Sequence, residues 1–97
     1  MRNVIFHPLA EQELLDAIYY YEKQETGLGL DYLDGVEHAV NFLVRYPEAG
    51  AKVKGTIRRL TLPKFPYSLL YRVAAEHIRV LAVAHHKRRP KYWVDRQ

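Results

Sequence analysis

The spacing of apolar positions along the chain changes period part-way. Residues 2–7 are β-rich and stop at Pro8, which predicts a short strand. Pro8 then suits the first turn of a helix, where its missing N–H leaves no bond unmade. Ala10, Leu14, Ala17, Ile18 and Tyr21 recur at the spacing of one helical face, and Glu11 and Glu13 in the opening turns complement the helix dipole. Gly27 and Gly29 are expected to break this helix. A second is expected from Leu30 or Asp31, with Leu33, Val36, Val40 and Leu43 on one stripe, ending at Tyr46-Pro47. The short glycine-containing connection predicts an antiparallel helical hairpin. Gly35 costs the second helix up to about 1 kcal/mol relative to Ala, and close approach of the two helices is the expected reason for it.

After the turn Pro47-Glu48-Ala49-Gly50 the period becomes two. Thr56–Leu62, Tyr67–Val73 and His77–Val83 are rich in β-branched, aromatic and leucine residues, and their short connections predict three antiparallel strands in a meander. The expected fold is α+β in the order β-α-α-β-β-β: an N-terminal strand and an antiparallel helical hairpin packed on a small antiparallel sheet, one domain over residues 1–97. The pleat places Arg58, Leu60 and Leu62 on one face and Ile57, Arg59 and Thr61 on the other. Tyr67, Leu69, Tyr71 and Val73 likewise oppose Ser68, Leu70 and Arg72. In the last strand Ile78, Val80, Ala82 and Ala84 are uniformly apolar, against a mixed set of His77, Arg79, Leu81, Val83 and His85. If the apolar sets meet the helices, Arg59, Arg72, Arg79 and His85 gather on an opposite, open face.

Charge adds an asymmetry to this picture. The net charge of +4 divides into −6 for residues 1–48, with three basic and nine acidic side chains, and +10 for residues 49–97, with twelve basic side chains against Glu76 and Asp95. A second half this cationic calls for a polyanionic partner. With 48% hydrophobic and 27% charged residues the chain can build one modest core. No apolar run reaches the roughly 20 residues needed to cross a bilayer. The N-terminus breaks at Pro8 with no signal-peptide pattern, and there is no cysteine, which excludes disulfide scaffolds and thiolate chemistry. The expected location is the cytoplasm, with no membrane partner and no cofactor.

The densest chemistry lies in His85-His86-Lys87-Arg88-Arg89-Pro90-Lys91-Tyr92, which follows a buried strand and closes with Tyr92-Trp93. Lys and Arg neutralise phosphates, histidine moves protons near neutral pH, and Tyr92 offers a stacking ring or a proton donor. Metal-free RNA cleavage needs 2′-OH activation, a cation on the developing phosphorane and an acid for the leaving oxygen, and these residue types supply each role. A solvated basic tail is the competing reading. Adjacent histidines on a strand end point apart, so a His85-His86 metal site is not expected. Tyr19-Tyr20-Tyr21 reads as core plus surface, and Glu11, Glu13 and Asp16 as solvated charge. Ser68 has no nucleophile motif around it, and no glycine-rich phosphate loop occurs.

Taken together, these residues resemble the RelE/ParE superfamily, the toxins of bacterial type II toxin–antitoxin modules, a group that includes plasmid stabilisation proteins. The resemblance runs through the Ala10…Tyr21 helix, Leu43…Tyr46-Pro47…Gly50, Ile57-Arg58-Arg59-Leu60, Phe65–Val73, Ile78–His85 and Arg88-Arg89-Pro90. It implies a growth-inhibiting toxin held inactive by a cognate antitoxin, reaching operator DNA only through the antitoxin complex. Two activities divide the superfamily: ParE-like members inhibit DNA gyrase, and RelE-like members cleave mRNA in the ribosomal A site. In the RelE-like pattern Arg59, His85, Arg88 and Tyr92 would be catalytic, but Thr61 and Ser68 stand where that pattern carries a Lys and an Arg. The hairpin length, Arg58 and the pairing of His85 with Arg88 are closer to ParE. Arg72, Arg79, His86, Lys87, Arg89 and Lys91 are then expected binding residues. A non-toxic relative that only binds its antitoxin is the third alternative. The antitoxin is expected on the apolar grooves around the hairpin and the sheet edge, with an acidic segment over the cationic face.

Overall fold

The computed structural model describes residues 3–97 and carries β1 (Asn3–Phe6), α1 (Pro8–Gln24), α2 (Leu28–Arg45), β2 (Ala51–Lys54), β3 (Ile57–Thr61), β4 (Tyr67–Val73) and β5 (His77–His85). Arg2, where the predicted first strand begins, lies outside the described residues. The strands form one sheet in the order β1-β5-β4-β3-β2. The β2 to β5 pairings are antiparallel, whereas β1 runs parallel to β5 with Asn3 opposite His77 and Phe6 opposite Val80. The α+β arrangement expected from the sequence is present, with two additions. β1 joins the sheet across the whole hairpin, and β2 extends it at the far edge. β2 reads Ala-Lys-Val-Lys with only Val53 half-buried, a short lysine-bearing edge strand whose composition resembles a loop.

Two side-chain devices set the helix ends. His7 caps α1, its Nδ1 accepting the Leu9 N–H at 3.0 Å. Glu22, near the end of α1, accepts the N–H groups of Gly27 and Gly29 at 3.0–3.1 Å and so satisfies the first turn of α2. That contact moves the start of α2 to Leu28, earlier than the expected Leu30 or Asp31. Gly29 therefore sits inside the helix instead of breaking it. The close approach assigned to Gly35 belongs to Gly29: a Cβ there would lie 2.7 Å from the Ile18 carbonyl, whereas one on Gly35 meets only the Phe65 ring at 3.9 Å.

The hairpin covers one sheet face. Ala10 and Ala17 of α1 and Tyr32, Val36, Ala39 and Leu43 of α2 pack with Leu69, Tyr71, Ile78, Val80 and Val83. Tyr32 and Ala39 are fully or nearly buried while Leu33 and Val40 are half-buried, so the α2 stripe is rotated slightly from its expected centre. The Tyr71 hydroxyl accepts the Gly50 N–H at 2.9 Å and donates to the Pro47 carbonyl at 2.8 Å, pinning the turn after α2 to the middle of the sheet.

A bulge decides the other face. Leu70 pairs with Ala82 but Tyr71 pairs with Val80, leaving Leu81 as an extra residue in β5. The alternation reverses there. Ile78 and Val80 face the helices as expected, but Ala82 and Ala84 turn to the opposite face, where they join Leu70 and Trp93 in a second cluster. Val83 takes the helix side, and the His85 ring meets Tyr67 edge-on at 4.9 Å. His85 is thus corrected out of the Arg59, Arg72 and Arg79 face. That face is not open either, since Trp93, only 5% exposed, lies across it.

The glycines give a paired expectation. Gly35→Ala should stabilise the fold by up to about 1 kcal/mol, because the helix penalty goes and the added methyl has room. Gly29→Ala should destabilise it by about 1–3 kcal/mol through overpacking against Ile18. Denaturant unfolding of both variants checks the assignment. Equal effects would contradict it.

His7 gives a second expectation. Burial, then the charges of Arg79 and Arg96, hold its pKa below the ordinary 6.5, with Glu13 acting weakly the other way. The unfolded chain therefore takes up this proton at a higher pH than the folded chain. The stability His7 contributes is complete above 6.5 and is lost as pH falls through its lowered folded value. Protonation of Nδ1 would also end its acceptance of the Leu9 N–H. Unfolding curves at about pH 7.5 and about pH 5.5 should show this loss, and His7→Asn, which keeps a capping acceptor without a titration, should remove it.

Candidate functional site

Residues 85–93 leave β5, turn, and come back over the second sheet face. Arg88 N–H donates to the His85 carbonyl at 3.0 Å, His86 N–H to Pro66, and Lys87 N–H to the His85 Nδ1. The segment is anchored by the burial of Trp93 against Leu70, Ala82 and Ala84. Between it and the strands lies a groove of about 440 Å³. Val53, Leu70, Ala84 and Trp93 supply its apolar lining, and Arg59, Arg88, Arg89 and Lys91 its charge. Thr61, Ser68 and His86 link across the strands. The His86 Nε2 lies 3.1 Å from the Ser68 hydroxyl, which lies 3.2 Å from the Thr61 hydroxyl. Ser68 is only 2% exposed, so this hydroxyl is the buried middle member of the chain.

The structure brings Arg59, His86, Arg88, Arg89, Lys91 and Tyr92 to this groove, with His85 bordering it at the strand end while its ring meets Tyr67, and leaves three expected residues out of its lining. Arg72 and Arg79 are paired across β4 and β5 away from it, where Arg79 Nε donates to the Gln97 carbonyl at 3.0 Å. Lys87 is exposed on the turn.

Tyr92 and Arg88 are held from the side by Glu13. The Glu13 carboxylate accepts the Tyr92 hydroxyl at 2.7 Å, the Val83 N–H at 3.0 Å and a two-pronged contact from Arg96 at 2.9 and 3.0 Å. Arg88 stands 3.9 Å from the same carboxylate, and its guanidinium lies 3.9 Å above the Tyr92 ring, with Arg96 at 5.0 Å from that ring's centre. Burial first, and then the hydrogen bond to Glu13, push the Tyr92 pKa upward. The ring is a clamped platform under Arg88. Its proton is already committed to Glu13.

Glu13 was expected to be solvated, and this is where sequence reasoning missed most. A carboxylate in an opening helical turn looks ordinary, and its partners lie 70 to 83 residues away. Trp93 did carry a signal, since an aromatic pair closing a polar tail marks a segment that docks. Ser68 and Thr61 carried one only in their cross-strand pairing. Among the described residues no three His, Asp or Glu side chains converge on a metal position, and no helix is long and apolar enough to cross a membrane.

A family model described as the ParE toxin of the type II toxin–antitoxin system, parDE, matches residues 4–90. The chain belongs to the ParE toxin family. A solved structure of the chromosomal ParDE TA system from P. aeruginosa is similar at 27% identity, with a TM-score of 0.71 over 88% of this chain and 96% of that one. No curated protein matches. The family match ends at Pro90, so Tyr92, Trp93 and Arg96 of this ParE toxin lie beyond it. The clamp on Glu13 ties those three residues' segment to the family core.

Chemically, the groove of this ParE toxin offers cations, a histidine backed by two hydroxyls, and an apolar lining. Such a surface binds anions and flat amphipathic groups. The clamp itself is open to measurement. Glu13 and Arg96 are only 14% and 12% exposed, so Glu13→Ala strands a guanidinium and should cost about 3 kcal/mol. Arg88→Ala removes a 54% exposed partner at 3.9 Å and should cost at most about 1 kcal/mol. Urea midpoints of the two variants separate the roles, and a large loss for Arg88→Ala would contradict them.

Proposed function

We propose that this toxin acts in the cytoplasm as a ParE-like inhibitor of DNA gyrase, and that it works by contact and not by cleaving a substrate. The observation that carries this reading is the Tyr92 hydroxyl. It donates to Glu13 at 2.7 Å with its pKa raised, which leaves the tail tyrosine poorly suited as an acid for a leaving oxygen. Thr61 and Ser68, hydrogen-bonded to each other, occupy positions where a nuclease would profit from cations. Arg59, Arg88, Arg89 and Lys91 then serve as the contact surface.

A cognate antitoxin holds the toxin inactive in this reading, and the assembly meets operator DNA through the antitoxin. Two surfaces of different chemistry suit one extended partner. An acidic stretch matches the cationic groove. An apolar stretch matches the second groove, of about 890 Å³, between α2 and the β3–β4 connection, where Ala39, Leu60, Leu62 and Phe65 line the walls and Phe42 is 45% exposed.

A second reading keeps one specific support: the groove does gather Arg59 and Arg88, cations suited to a phosphorane, with His86 beside them. Pulsed expression with parallel labelling of new DNA and new protein distinguishes the two. We expect early arrest of DNA synthesis and filamentation with mRNA intact, and loss of gyrase supercoiling when the purified toxin is added. An early, selective fall in translation with cuts inside reading frames would overturn the gyrase reading in favour of ribosome-dependent mRNA cleavage. Unchanged growth at full expression would leave only antitoxin binding.

A further inference from the structure

The acidic half of the chain, at −6, supplies the hairpin, and the basic half, at +10, supplies the groove. The hairpin covers one sheet face and the groove opens on the other, so the two charges stand on opposite sides of the molecule. The hairpin's outer side carries two stripes of the same mixed character. Glu11, Leu15 and Tyr19 follow one another at successive turns of α1, and Leu30, Asp34 and Glu37 at successive turns of α2. All six are exposed, Tyr19 at 71% and Leu30 at 64%. Among the described residues none of Glu11, Asp34 and Glu37 has a cation within ion-pair distance. Uncovered apolar groups set among unpaired acids mark a contact face more than a solvated one. The groove is its counterpart in charge. Arg59, Arg88, Arg89 and Lys91 line it with no Asp or Glu, and among them only Arg88 has a carboxylate near, Glu13 at 3.9 Å.

We propose that a second copy of this toxin occupies the groove: the outer face of one copy's hairpin docks on the cationic groove of the next. The two surfaces lie on opposite sides of one fold, so a single chain cannot bring them together. The contact is head-to-tail. Each docked pair keeps one free groove and one free hairpin, and association continues as an open chain instead of closing at a dimer. Exposed ion pairs are individually weak and screened by salt, so the chain is reversible and strongest at low ionic strength. Opposite potentials on the two faces also orient approaching copies, even though the whole molecule is positive. The inference rests on the two faces alone and is independent of the toxin's target.

Sedimentation velocity of the isolated toxin over a range of concentrations tests it. We expect species beyond the dimer at about 50 mM salt, and apparent association weakened at least about tenfold at about 500 mM. Asp34→Lys with Glu37→Lys reverses the hairpin face, and Arg59→Glu with Arg89→Glu reverses the groove; all four positions are exposed, and circular dichroism checks that each variant folds. Each variant alone should stay monomeric where the parent associates. Mixed, they should form a one-to-one dimer that grows no further, because one variant keeps its hairpin and the other its groove. General charge repulsion predicts the opposite order, since the groove variant loses the net charge of +4 and would associate most readily. A parent that stays monomeric at low salt, a groove variant that associates like the parent, or a mixture without the dimer would each overturn the proposal. So would a closed dimer indifferent to salt. A polyglutamate peptide that binds through Arg59 while copies ignore one another would overturn it as well, and would give the groove to an acidic segment of another protein.

Discussion

One carboxylate closes this fold. β5 is longer than its parallel neighbour: the pairing to β1 ends with Phe6 opposite Val80, and the His7 N–H takes the Val80 carbonyl. Beyond that point the strand has backbone groups facing an empty edge, which cost free energy if buried without partners. Glu13 accepts the Val83 N–H, and Arg96, locked onto Glu13, donates to the Leu81 carbonyl. A side-chain ion pair thus completes the edge where a strand stops short. The same carboxylate receives Tyr92, so satisfying the edge of β5 also fixes the course of the last residues and, through them, one wall of the groove.

The bulge at Leu81 is the second constraint. By reversing the alternation inside β5 it sends Val83 to the helical core and Ala82 and Ala84 to the opposite face. Small residues there leave room for Trp93 to pack against the sheet. Without the reversal, the two alanines would face the hairpin, and the tail would have a Val and a His to dock on. The outcome is a sheet with two packed faces of unequal size. One is closed by helices. The other is closed by a short segment whose far side is cationic.

Much of this was legible along the chain. The two helical stripes, the meander strands at β3 to β5, the N-terminal strand and the opposite signs of charge in the two halves all follow from local spacing and composition. The family resemblance, carried by particular residues and motifs, agrees with the match over residues 4–90. Arg59, His86, Arg88, Arg89, Lys91 and Tyr92 stand out in the sequence by residue type, and they share one groove. β2 was not legible, because an edge strand of four residues with two lysines has almost no apolar alternation to display.

The sequence by itself determined which segments bury an apolar face and where positive charge concentrates, because both depend on residues a few positions apart. Tertiary structure alone decided what each side chain does at the groove. Glu13, a routine charge in an opening helical turn, became the partner of Tyr92 and Arg96 because folding brings residues 70 to 83 positions away to it. His85 turned to Tyr67 and away from the cationic face because one extra residue upstream shifted the pleat. Ser68 acquired a histidine because the chain turns back past the end of β5. Each of these rests on a contact between distant segments, and local periodicity carries no record of such contacts.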